Sequence, residues 1–164
     1  MKWPEIDRAN ALWVIPGLRT KSGREMEVPL SSLALEILDA LPQFASDDEI
    51  TADGAAFVFT TTSGRRPVSG FSKMKARTDD LSDVTDWRLH DLRRTARTGL
   101  AELGVPQIVA EKVLNHAERN VLVRTYDRHE YAAEKAAALE RWSSRLREIT
   151  EPPPENVVKL SAAR

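Results

Sequence analysis

A chain of 164 residues is long enough to bury one core and too short for two independent domains. Its 41% hydrophobic and 30% charged residues, with a formal charge of −1, describe a soluble globular protein lacking the bulk positive charge of many nucleic-acid binders, so any DNA footprint must be local. No cysteine is present, which excludes disulfides, thiolate metal sites and cysteine nucleophiles, and neither a signal-like apolar core in MKWPEIDRAN nor a run near the roughly 18 apolar residues of a membrane span occurs, so a cytoplasmic protein with no membrane association is expected.

In chain order, ALWVIPGLRTKSGREMEVPL predicts a β-hairpin with strands over 12–15 and 26–28, joined by a polar turn containing Lys21, Ser22 and Gly23. Pro29 should stop the ladder, Ser31 or Ser32 cap a helix with Leu33, Ile37, Leu38 and Leu41 on its apolar face, and Pro42 close it. After the acidic loop QFASDDEITADG, the run AAFVFTTT suits a third strand beside the hairpin. SGRRP turns the chain into a helix opened by Ser69 or Ser72 and running to about Leu81, with Phe71 and Met74 facing inward.

From His90, HDLRRTARTGLAEL predicts a helix ended by Gly104, with Pro106 in the first turn of a second helix that stops at Asn115 and His116. EYAAEKAAALERWSSRLREI, residues 130–149, is rich in strong helix formers, and the tail EPPPENVVKLSAAR reads as flexible. The expected architecture is α+β, a small three-stranded antiparallel sheet packed on a mainly helical body.

Chemistry concentrates in the second half. His90 and Arg93, three apart, share one helix face near its N-terminus, where backbone N–H groups, a guanidinium fork and an imidazole can converge on a phosphate. His116 follows a helix end and Tyr126 lies ten residues on. Singly, each has an ordinary reading: a cap with a surface ion pair, a histidine capping carbonyls, a core tyrosine. Together, the order turn-lysine, HxxR, helix-end histidine, tyrosine reads as one site. From Arg88 to Arg128 eight Arg or Lys stand against five acids, a local net charge of +3.

HDLRRT, ELGVP, VLNH and RTYDRHEYAAEKAAALERW, together with WPEID, RTKSGREMEVPLS and VFTTTSGRRPVSGFSKMK, resemble the catalytic domain of tyrosine recombinases, the phage and genomic-island integrases. The resemblance implies site-specific DNA recombination through a 3′-phosphotyrosyl intermediate, with Tyr126 as nucleophile and no nucleotide or metal cofactor. It further implies Arg93 as the clamp on the phosphoryl oxygens, His116 as a second donor, His90 as general base or proton-positioning group, and Lys21 as the acid that protonates the leaving 5′-oxygen. Arg94, Arg97, Arg124 and Arg128 are candidate DNA contacts. Tyr131 is the rival nucleophile, expected instead to pack inside the start of the last helix.

The family carries a first catalytic arginine, in an R-x-x-E stretch, before the tryptophan strand that here begins at Trp3. The expectation is therefore a partial catalytic domain over 1–149, its first helices missing, with a flexible tail over 150–164 and low or no activity alone. In the family four protomers assemble on two double-stranded attachment sites, in some cases with accessory DNA-bending proteins, and the helix over 130–149 is the expected docking element on a neighbour. Two alternatives stay open: a type IB topoisomerase with the same nucleophile chemistry, and a non-catalytic helix-turn-helix DNA-binding protein, which leaves Lys21 and Tyr126 without a role.

Overall fold

The structure, a computed structural model, describes residues 1–20, 23–44, 55–116 and 129–151. Three short strands, β1 (Ile6–Asp7), β2 (Leu12–Ile15) and β3 (Met26–Pro29), form an antiparallel sheet in the order β1-β2-β3. The hairpin register pairs Trp13 with Val28 and Ile15 with Met26. Between β1 and β2 the Asp7 carboxylate accepts from the Asn10 N–H at 3.1 Å and from its Nδ2 at 2.7 Å, a local turn that brings Ile6 opposite Trp13.

The third strand is thus Ile6–Asp7 and not the AAFVFTTT run. A four-residue turn closes at far lower loop entropy than a connection reaching from β3 to residue 57. The run is used differently. Its backbone bonds to the chain start, Trp3 N–H to Ala56 O at 3.1 Å and Val58 N–H to Met1 O at 3.2 Å, while Ala56 and Val58 are buried.

Five helices are described. α1 (Ser32–Asp39) is capped by the Ser31 hydroxyl, which accepts from the Ala34 N–H, as its sequence predicts. α2 (Phe71–Ser82) starts after Gly70. Its Phe71 and Met74, expected inside, are 51% and 47% exposed, and Ile37 of α1 is 50% exposed. Phe71 and Met74 line an open apolar groove with Leu41, Phe44 and Phe59. Periodicity finds an apolar face but not whether another element covers it.

α3 (Leu89–Glu102) and α4 (Gln107–Val113) form the expected helical hairpin, with Pro106 one position outside α4 as its N-cap. α3 ends in a Schellman turn: Gly104 takes the left-handed conformation at φ 71°, its N–H bonds to Ala101 O, and Val105 N–H bonds to Leu100 O. Leu100 and Val105 then meet in the core with Val109 and Ala110 of α4 and Ala138 of α5 (Ala132–Thr150). Trp142 of α5 packs against α3 at Gly99, so close that a Cβ there would collide with the indole.

Helix α5 packs on its own chain. Its apolar side is covered by α3 and α4, the Glu140 carboxylate accepts from the Ser32 N–H at the start of α1, and Arg147 pairs with Glu36. Among the described residues no helix is long and apolar enough to cross a membrane.

Candidate active site and nucleic-acid interface

The site is assembled where α3 faces the end of α4. At the start of α3 the Asp91 carboxylate accepts from the Arg88 N–H at 2.8 Å, fixing the first turn, and holds Arg94 at 3.0 Å. His90 sits exposed in this turn. One turn further, Arg93 is half-buried and its Nη2 donates to the carbonyl of Leu114, the C-cap of α4. An orphan carbonyl at a helix end is thereby satisfied by a cation, which also suits the negative end of the helix dipole.

Helix α4 terminates in a second Schellman turn, with an asparagine where α3 has glycine. Asn115 takes φ 51°, its N–H bonds to Lys112 O at 3.1 Å, and the His116 N–H bonds to Glu111 O at 2.9 Å. This turn sets His116 beside the side chain of Glu111, and His116 Nδ1 meets Glu111 Oε2. The other carboxylate oxygen accepts from Arg97 Nε at 2.9 Å. The hydrogen bond from His116, reinforced by that from Arg97, holds the Glu111 carboxyl below the ordinary glutamate range against the opposing effect of burial.

Two of the expected site residues, Arg93 and His116, are thus brought to the same helix end, and His90 lies on the face of α3 that carries Arg93. Lys21, Tyr126, Arg124 and Arg128 lie outside the described residues. Next to Lys21 in sequence, the Thr20 N–H bonds to Gly17 O at 3.0 Å and the Thr20 hydroxyl lies 2.6 Å from Arg24 O. Glu5 gathers Trp13 Nε1 at 3.0 Å, the Lys2 N–H at 3.0 Å and Arg19 Nη2 at 2.6 Å. Burial pushes the Glu5 carboxyl up, but these bonds from Trp13, Lys2 and Arg19 outweigh it and hold it below the ordinary range.

Tyr131 is not inside the last helix. It is the N-cap of α5 at φ 54°, half-buried against the α3–α4–α5 core, with its ring 4.5 Å from that of His129 and Lys112 Nζ 5.8 Å from its centroid. Sequence reading missed Glu111 and Glu5 because an acidic residue on a helix or beside a tryptophan is an ordinary surface choice. The signal for Glu111 was its position five residues before His116, the distance that a Schellman turn closes.

Residues 1–133 match the sequence profile of the phage integrase family. The chain belongs to this family. A phage integrase relative, prophage integrase IntA of Escherichia coli (strain K12), is 31% identical over 144 residues, which cover 87% of this chain and 33% of IntA. The chain thus spans about a third of that relative. No solved structure matches it. For this integrase-family chain, the α3–α4 junction carries the HDLRRT and VLNH motifs on the two sides of one contact, Arg93 to Leu114.

Proposed function

We propose that this chain acts in site-specific DNA integration and recombination by strand cleavage and rejoining. The observation that carries the reading is the convergence of Arg93 and His116 at the end of α4, in a chain whose family is that of phage integrases. In this reading the Tyr126 oxygen attacks a DNA phosphorus, the P–O5′ bond breaks, and the 3′-phosphotyrosyl bond keeps the energy for religation by another 5′-hydroxyl. Arg93 and His116 donate to the non-bridging oxygens as charge builds there. His90 takes or positions the tyrosyl proton, and Lys21 protonates the departing 5′-oxygen. The proton balance closes with religation, when both transfers reverse.

Arg94, Arg97, Arg124 and Arg128 supply DNA contacts in this reading, and the partners are double-stranded attachment sites held by four protomers, with accessory bending proteins, in the cytoplasm. Arg94 is well placed, since 73% of its side chain is exposed and its bond to Asp91 is a surface pair easily exchanged for a phosphate. Arg97 is engaged by Glu111.

The test is covalent trapping on nicked duplexes tiled across the DNA that flanks the gene. The expected outcome is at most a low yield of a denaturation-resistant protein–DNA complex, as for a partial catalytic domain, with that residual complex abolished by Tyr126→Phe and retained in Tyr131→Phe. The reverse pattern overturns the nucleophile assignment, and supercoil relaxation without strand exchange favours the topoisomerase alternative.

A further inference from the structure

We infer that Glu111 is a positioning residue for His116: its carboxylate, itself anchored by Arg97, takes the Nδ1 side of the imidazole and leaves Nε2 to face the substrate phosphate. The inference rests on the reading of His116 as a phosphate donor.

Glu111 and His116 are joined twice, through the main chain by the bond from His116 N–H to Glu111 O at 2.9 Å, and through the side chains at Nδ1. The first bond fixes the backbone of His116 relative to α4 and the second fixes the rotation of the ring. A histidine with one nitrogen held by a carboxylate has its remaining nitrogen defined as the one that meets the substrate. For both ring nitrogens to donate at once, Nδ1 to Glu111 and Nε2 to the phosphate, each must carry a proton.

Arg97 prevents Glu111 from moving. Its Nε occupies Oε1 at 2.9 Å from the opposite helix, so the carboxylate plane is defined by one bond from α3 and one from the end of α4. Arg93 approaches the same helix end from α3 at Leu114, one turn along α3 from Arg97. The two arginines of α3 thus divide the work: Arg93 holds the main chain before His116 and Arg97 holds the carboxylate that orients its ring. A half-exposed ion pair contributes little to stability, so the effect of Glu111 should be read in the histidine and in the rate rather than in the melting temperature.

The test uses Glu111→Ala and the neutral isostere Glu111→Gln in the full chain. Nitrogen-15 NMR of the His116 ring reads the position of the proton without any cleavage. The expected result is a protected Nδ1–H correlation in the parent protein, lost in Glu111→Ala and intermediate in Glu111→Gln, with unchanged circular dichroism. Single-turnover cleavage of the nicked duplex should fall about 10- to 100-fold in Glu111→Ala, the loss typical when a group orienting a functional histidine is removed, while the Kd for that DNA stays unchanged. An Nδ1–H signal in Glu111→Ala as protected as in the parent overturns the inference. If the signal is lost but no residual covalent complex depends on Tyr126, the positioning of His116 by Glu111 stands and the recombinase reading is what fails.

Discussion

Arg93 of α3 donates its Nη2 to the carbonyl of Leu114, so a side chain from one helix closes the C-terminus of the next, two residues before His116. Any change at Arg93 therefore acts on the backbone that presents His116 as well as on the charge proposed to meet the DNA phosphate.

Arg93→Lys should show this dual role. Lysine keeps the charge but has no planar fork with which to hold a carbonyl and a phosphoryl oxygen together. Single-turnover cleavage is expected to fall by about 10²- to 10³-fold, the loss associated with one transition-state donor, with DNA affinity little changed. A lysine variant as fast as the parent removes Arg93 from the proposed site.

Gly99→Ala should destabilise the fold without touching the site residues. The new methyl would collide with the Trp142 ring, which must then leave its seat on α3. Overpacking of this kind costs about 1–3 kcal/mol, read as a lower urea midpoint. Gly99→Ala combined with Trp142→Leu should recover part of the loss, because the clash is removed.

Acid should weaken the protein mainly through Glu5, with only a small share from the more exposed Glu111, both held below their ordinary value of 4.5. The folded state resists protonation of these groups, so the unfolded state binds more protons as the pH approaches 4.5. Their contribution is complete above that value and is lost as the pH falls through the lower folded-state values. The urea midpoint should accordingly decline on acidification from about pH 5 downward. Glu5→Gln should be less stable at neutral pH and show a shallower acid slope; an unchanged slope would sink this assignment.

DNA binding should weaken steeply with salt, and Arg94→Ala should reduce the slope of log K against log salt concentration by about 0.9, one phosphate contact. The Arg94 partner Asp91 supplies a control, since Asp91→Asn frees the guanidinium and should raise affinity at low salt. Fluorescence anisotropy over a salt series measures both. An Arg94→Ala slope identical to the parent places this arginine off the DNA.

The helical hairpin α3–α4 is legible in the sequence because its signals are local. Gly104 supplies the left-handed residue that ends α3, Ser31 caps α1, and the runs around Trp13 and Val28 flank a polar turn as hairpin strands do. The HxxR spacing likewise places His90 and Arg93 on one face of α3 with no tertiary information. Failures occur where the decision depends on which distant segment arrives. AAFVFTTT pairs with Met1 and Trp3 rather than the hairpin, because β1 already occupies the open side of β2. Phe71 and Met74 have the helical spacing of core residues, yet the groove they line is left open.

By itself the sequence determined the hairpin and most of the helices, since these follow from backbone geometry and side-chain chemistry within a few residues. Only the tertiary structure decided that Trp142 seals α3 at Gly99, that Arg93 reaches Leu114, and that Glu111 joins Arg97 to His116. Those contacts link residues brought together by the packing of α3, α4 and α5 around Leu100, and no local pattern encodes which partners such packing will supply.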